Sequence, residues 1–197
     1  MVRVYVPATI SMLQTLVADR AVAAVNRTAF ALTPGLREAY STGDDDELAE
    51  VAMAEAARAA LRLIAAEADA DNSTAEADAD NSTAEADADN STEEDDSGEK
   101  PAPVFRRAVI AADVDGAELR PDLDDAVVRL AGPIEYRQIA SVHVDLAEAE
   151  DAVAKAVRVV DAADLGDTDA EFVLGDAEDH ELAWYAAQEL PFLIELL

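Results

Sequence analysis

The stretch VRVYVPAT, residues 2–9, carries the pattern from which we predict the fold. Its side chains alternate between the two faces, as expected for a strand with one buried face. One face consists of Val2, Val4 and Val6, and the other carries Arg3 and Tyr5. Pro7 is expected to end the strand, and Thr9 to cap the helix that follows. The chain is therefore predicted to begin with a strand and a helix that share one core.

Residues 142–146 (VHVDL) repeat this alternation and place His143 and Asp145 on the face away from the aliphatic side chains. Between the strand patterns, helical patterns follow residue 9, Asp44 and Glu148, whereas the acidic residues 161–179 read as a loop. Strands and helices are mixed, with some strands adjacent in sequence. The predicted class is α+β, with a single mixed or antiparallel sheet and helices mainly on one face. A ferredoxin-like arrangement is one form of this class.

An acidic segment, residues 67–100, divides the chain. The sequence AEADADNST occurs three times without a change between residues 66 and 92, and the segment contains fourteen acidic residues and one lysine. Such a composition buries too little apolar surface to offset chain entropy, so we expect a disordered low-complexity insert. Residues 1–66 and 101–197 are then the first and second parts of a single domain.

The repeat resembles a calcium-binding loop only in part. Asp69 and Asp71 have the spacing of the first ligands, but Thr74 stands where such a loop has glycine and Asp80 where it has a bidentate glutamate. A tandem duplication tolerated in a surface loop is the simpler interpretation.

Composition excludes several classes of function. The net charge of −30 repels phosphate backbones, so we expect no direct binding of nucleic acid. The chain has no cysteine, which excludes disulfides and thiolate metal sites. We find no leader pattern and no apolar stretch long enough to span a membrane. These features predict a cytoplasmic protein without a cofactor.

The strongest enzyme candidate is DVDG, residues 113–116, which follows an apolar stretch. It resembles the motif of the haloacid dehalogenase family, and the resemblance implies a Mg²⁺-dependent phosphohydrolase with Asp113 as nucleophile and Asp115 as general acid. Three later residues fit the remaining roles of phosphate neutralisation and metal binding: Lys155, Asp176 and Asp179. However, Ala117 stands where that family has threonine, and the chain that follows is short for a parallel sheet.

A zinc site is a weaker candidate. His180-Glu181 begins like the helix of a zinc protease, but Trp184 occupies the position of the second histidine. A site built on histidines would require His143 and His180 to meet in space. We therefore predict no metal site.

A polar sheet face is the remaining candidate site. Arg3, Tyr5, His143 and Asp145 all lie on the non-aliphatic faces of predicted strands, where they would form a platform for a small anion or a protein partner. Trp184 and Tyr185 are adjacent, so on a strand one faces the core and the other the surface. With Trp184 in the core, Tyr185 is the residue for partner contact.

Three passages together resemble a family of uncharacterised actinobacterial proteins of about 150–200 residues. They are residues 3–9 (RVYVPAT), 119–130 (LRPDLDDAVVRL) and 179–191 (DHELAWYAAQELP). The resemblance implies a cytoplasmic actinobacterial protein and assigns no activity. We therefore predict a non-catalytic protein of unknown role that acts through contacts with a protein partner, with the phosphohydrolase as the alternative.

Overall fold

The computed structural model describes residues 1–81 and 104–197, with side chains for residues 1–73 and 104–197. The described strands are β1 (Val2–Ala8), β2 (Ala21–Val22), β3 (Thr28–Phe30), β4 (Ala108–Val114), β5 (Glu118–Leu119), β6 (Val127–Arg129), β7 (Ile134–Glu135), β8 (Ile139–Val144) and β9 (Ala183–Ala186). The described helices are α1 (Ile10–Asp19), α2 (Pro34–Ala39), α3 (Asp45–Asn81), α4 (Glu150–Val157), α5 (Val160–Asp164), α6 (Thr168–Glu178) and α7 (Leu190–Leu196).

The main sheet is built around β1. Its seven strands run in the order β5-β6-β3-β1-β4-β8-β9, and neighbouring strands are antiparallel. Strands β2 and β7 form a separate two-stranded sheet. The α+β class with one main antiparallel sheet is thus confirmed. Because β1 pairs with β4, the parts of the chain before and after the acidic segment share this sheet.

The alternation of β1 places its residues on the two faces as predicted, but helices cover both. Val4 and Val6 are fully buried in a core that also contains Leu13 of α1 and Leu193 of α7. On the opposite face, Tyr5 packs in a second core with alanines of α3. Helices thus pack on both faces of the sheet, with α1 and α7 on one and α3 on the other.

The path of the chain explains why α3 lies where it does. Strands β3 and β4 both run antiparallel to β1, which lies between them. Helices α2 and α3 therefore cross from one to the other over β1. This is one split βαβ crossover, whereas a ferredoxin-like arrangement has two; α1 instead joins β1 to β3, its antiparallel neighbour.

The acidic residues 161–179 are mainly helical rather than a loop. Helices α5 and α6 bury Ala163, Ala170, Leu174 and Ala177 in a third core, together with α4 and with Leu61 and Ile64 of α3. Small alanine side chains allow such short helices to approach closely. Sparse apolar residues are sufficient here because these four face the third core, whereas Phe172 of α6 is exposed.

Helix α3 also corrects the predicted start of the disordered insert. It continues through the first copy of AEADADNST to Asn81, and the Oγ1 atom of buried Thr9 donates to Oε1 of Glu67 at 2.6 Å. Residues 67–81 are therefore helical. The rest of the predicted insert, residues 82–100, lies outside the described residues. Among the described helices, none has the length and apolarity needed to cross a membrane.

Candidate functional site

A cleft lies between α3 and the face of the sheet that carries Tyr5. It consists of two adjoining cavities of about 550 and 320 Å³, which share Glu50, Met53, His143 and Trp184 in their walls. The larger cavity extends toward the turn between α6 and β9, and the smaller one toward the start of β1. We call these two cavities together the α3 cleft.

The register of the sheet determines the floor of the α3 cleft. One cross-strand row aligns Tyr5, Ala111, Ser141 and Ala186. The next row aligns Val109, His143 and Trp184. The small residues Ala111 and Ser141 leave space beneath α3. Three of the four residues predicted to form a polar platform, namely Arg3, Tyr5 and His143, therefore lie in the wall of one cleft.

The fourth residue, Asp145, is instead buried in an ion pair. Asp145 is 1% exposed and Arg107 2%. Nε and one terminal nitrogen of Arg107 each donate to a different oxygen of the Asp145 carboxylate at 2.8 Å. The backbone N–H of Arg107 donates to the same carboxylate, and the same terminal nitrogen donates to the carbonyl of His180 at 2.9 Å. Asp145 thus holds the wall of the cleft together and has no role as an open binding group.

The other arginines of the cleft are also paired. Arg3 donates twice to Asp113, at 2.8 and 2.9 Å, and this hydrogen bonding holds the pKa of Asp113 below its usual value. Arg58 forms salt bridges with Glu171 at 2.8 Å and Glu178 at 3.0 Å. The cleft therefore offers an anion no unpaired guanidinium among these three. This arrangement disfavours the small-anion alternative of the platform hypothesis.

The wall of the cleft also contains acidic residues that are not paired with any of these arginines. Four acidic residues of the wall form no salt bridge with any described residue: Asp46, Glu50, Glu55 and Glu181. Partial desolvation is the largest effect on the Glu55 carboxyl and raises its pKa, with Asp124 adding to the shift. The α3 cleft is therefore negative, and its surplus charge is complementary to a cation.

Trp184 supplies the apolar surface of the cleft. Its side chain is 60% exposed, although it lies opposite His143 in the sheet and beside Met53 and Leu182 in the wall of the larger cavity. Tyr185 faces the other way and packs against the main core. The structure thus places Tyr185 inside and leaves Trp184 as the aromatic residue available to a partner.

Ser141 and His143 are hydrogen-bonded to each other, with 3.1 Å between Oγ and Nε2. Burial lowers the pKa of His143, so its imidazole is neutral at neutral pH. A nucleophilic serine needs an accessible hydroxyl and a third group that orients the base, whereas Ser141 is 6% exposed. In the described residues no group orients His143. The pair therefore reads as a buried polar contact that fixes the His143 ring.

Both histidines line the larger cavity, as a histidine-based zinc site would require. Within the described ranges, however, no group of three or more histidines and acids is arranged to hold a metal ion.

The phosphohydrolase alternative requires a parallel sheet with Asp113 at the carboxyl end of a strand. Both neighbours of β4 are antiparallel, and Asp113 is paired with Arg3. Asp115 is exposed beside the N-terminal amine, at 3.5 Å. The other three proposed residues lie on α4 and at the end of α6: Lys155, Asp176 and Asp179. The topology gives this alternative no support.

The α3 wall is the part of the site that our sequence analysis missed. Glu50, Met53, Ala54, Ala57 and Arg58 all line the larger cavity. They follow the spacing i, i+3, i+4, i+7, i+8 of one helix face. The signal was thus present as a face that is apolar in its middle and charged at its ends. The identity of the sheet strands opposite this face was not readable from local sequence.

The comparison with protein families gives a match over residues 2–194 to DUF6912, a family of unknown function. The match spans almost the whole chain, so the chain belongs to this family. No curated protein and no solved structure matches it.

Proposed function

We propose that this member of the family is a non-catalytic cytoplasmic binding protein, whose α3 cleft takes a cationic side chain of a protein partner. One observation carries the proposal: the three arginines at the cleft are paired with acids, whereas four further carboxylates are not, and an exposed tryptophan stands beside them. Arginine fits this combination best, since its planar guanidinium binds carboxylates bidentately and stacks on aromatic rings.

The energetics indicate weak binding for an isolated side chain. A cation over an indole contributes about 0.5–1 kcal/mol at an exposed site and about 2 when desolvated. Each solvent-exposed ion pair adds about 0.2–1 kcal/mol. Two carboxylates and the ring therefore supply about 1–4 kcal/mol, which corresponds to millimolar affinity at most. A biological partner must add further contacts around the cleft.

The proposal is tested with the fluorescence of Trp184, which is the only tryptophan of the chain. Nα-acetyl-argininamide, a cation, should change the emission saturably. Nα-acetyl-citrullinamide has nearly the same shape without the charge. At matched ionic strength it should bind at least about fivefold more weakly, as the loss of two exposed ion pairs and of the cation–π contact implies.

Variants of the cleft provide the matched controls. Glu50→Gln and Glu181→Gln should each weaken argininamide binding about two- to fivefold, as expected for an exposed pair. Glu195→Gln, an exposed glutamate of α7 away from the cleft, should leave it unchanged. Equal responses to arginine and citrulline, or equal losses in all three variants, would refute a cation site at the α3 cleft.

A further inference from the structure

Strand β9 is an edge strand of the main sheet and lies next to the α3 cleft. Strand β9 ends the strand order after β8. Within the described part of the chain, β8 is the only element with which β9 makes extensive contact. A sheet edge carries backbone N–H and C=O groups that lack a partner strand, and such an edge can accept a strand from another chain.

The direction of the backbone groups along β9 follows from two hydrogen bonds. The N–H of Asp145 donates to the carbonyl of Arg107, toward β4. Since backbone groups alternate in direction along a strand, those of His143 also point to β4 and those of Val142 and Val144 point to β9. Their partners in β9 are Tyr185 and Ala183. The backbone groups of Trp184 therefore point away from β8.

The second hydrogen bond agrees with this direction. The N–H of Ala186 donates to the Glu189 carboxylate at 2.8 Å rather than entering the β8 ladder. Residues two apart in a strand point the same way, so Ala186 and Trp184 both face outward. Glu189 thus occupies one end of the edge. At Trp184, the outward N–H and C=O have no hydrogen-bond partner among the described residues.

We propose that an extended basic segment of a partner protein adds to β9 as an antiparallel eighth strand, and that its arginine or lysine opposite Trp184 enters the α3 cleft. This proposal rests on the proposed function, because it assigns the chemistry of the partner to the same site.

Strand geometry links the two contacts. Directly opposite residues of antiparallel strands lie on the same sheet face. The residue opposite Trp184 therefore shares the face of Trp184 and His143, which is the face under α3. Its backbone groups bond to those of Trp184, and its side chain lies next to the indole. A long basic side chain then reaches Glu181 and Glu50 in the wall of the cleft.

An acidic or neutral strand does not suit this edge. The side chain opposite Trp184 would then lie beside the unpaired carboxylates of the cleft without a positive charge to neutralise them. The partner is therefore specified by two features together: an extended backbone, and a cation at the position opposite Trp184.

The test uses the full chain and the probe peptide acetyl-Thr-Val-Arg-Val-Thr-amide, followed by Trp184 fluorescence. N-methylation of the arginine removes the backbone donor that faces Trp184 and should weaken binding at least tenfold. N-methylation of the valine that follows removes a donor that faces solvent and should change binding less than twofold. Replacement of arginine by citrulline should weaken binding at least fivefold.

A second readout is hydrogen exchange at the backbone N–H of Trp184, which the peptide should slow and acetyl-argininamide should not. If both N-methyl peptides bind like the parent while the citrulline peptide binds more weakly, the proposed strand addition is wrong and the cation site is retained. If citrulline and arginine peptides bind alike, the proposed function fails. If argininamide binds and the peptide does not, strand addition is likewise overturned.

Discussion

At the scale of single residues, the ion pair of Arg107 and Asp145 determines how the α3 cleft is held. Both side chains are buried, and Arg107 also holds the carbonyl of His180 at the start of the turn into β9. A buried charge without its partner is costly, whereas an exposed pair contributes little. The pair therefore fixes the wall that carries Glu181 and Trp184.

Removal of one partner should reveal this difference. Arg107→Met leaves the Asp145 charge buried and should lower the free energy of unfolding by about 3–5 kcal/mol. Arg3→Met, which breaks the exposed pair with Asp113, should cost less than about 1 kcal/mol. Combining Arg107→Met with Asp145→Asn should cost less than the sum of the single changes. Urea unfolding of the three single variants and the double variant measures these free energies. Equal costs for Arg107→Met and Arg3→Met would contradict the burial of the pair.

Two titratable residues of the cleft predict how binding depends on pH. Burial lowers the pKa of His143 from 6.5, and desolvation raises that of Glu55 from 4.5. On acidification His143 therefore gains a positive charge below 6.5, and Glu55 loses its negative charge above 4.5. Both changes oppose a cation, so affinity for argininamide should fall on acidification below pH 6.5.

The measurement is the fluorescence titration at each pH. His143→Gln removes one of the two groups and should make the decrease smaller, and His180→Gln tests the other histidine of the cleft separately. If the pH profile of His143→Gln is the same as that of the unmodified protein, protonation of His143 does not contribute to the loss of affinity.

At the scale of elements, α3 is both the crossover between β3 and β4 and one wall of the cleft. It also carries Glu67, whose carboxylate accepts from Thr9, the residue that caps α1 through the N–H of Met12. Phe105 and Ala65 both pack against the third core, so the chain before and after the acidic segment reaches the same core. We therefore expect that a short linker can replace the segment.

Two deletions isolate the contribution of Glu67. With residues 68–100 replaced by a short Gly-Ser linker, the chain should fold normally, since loop closure changes only by about 1–2 kcal/mol. A deletion that also removes Glu67 leaves the buried Thr9 hydroxyl without its acceptor and should be about 1–2 kcal/mol less stable than the first. Urea unfolding compares the two. Equal stability would show that the contact of Glu67 with Thr9 contributes nothing.

The local sequence correctly predicted which side chains of a strand share a face, because this depends only on local periodicity. The alternation of residues 2–6 assigned Val4 to the main core and Tyr5 to the other face. It did not show that α3 would cover that face, because a strand does not specify its packing partner. For the same reason Asp145 read as a solvent-facing residue, although its partner Arg107 lies 38 residues earlier in the chain. Composition likewise marked residues 67–81 as disordered, whereas α3 extends through them.

At the scale of the whole molecule, the net charge of −30 should act on the rate of association. Electrostatic steering raises on-rates for oppositely charged partners and is screened by salt over about 8–10 Å. The arginine peptide should therefore bind more slowly as salt rises, with a smaller change in its off-rate.

The acidic segment carries a large part of this net charge. Deletion of residues 68–100 removes thirteen acids and one lysine. At low salt it should slow association of the arginine peptide severalfold and leave the off-rate unchanged, as expected for charge that does not contact the bound peptide. Stopped-flow fluorescence of Trp184 gives both rates. A changed off-rate would mean that the segment contacts the bound peptide.

The central claim is that the α3 cleft binds a cation beside Trp184, and nuclear magnetic resonance tests it most directly. The chain contains one tryptophan and therefore has one indole N–H signal. Addition of acetyl-argininamide should shift this signal and the backbone signals of His143, Glu50 and Glu181, whereas acetyl-citrullinamide at the same concentration should shift them far less. An indole signal that does not move, or that moves equally with both compounds, would contradict the account.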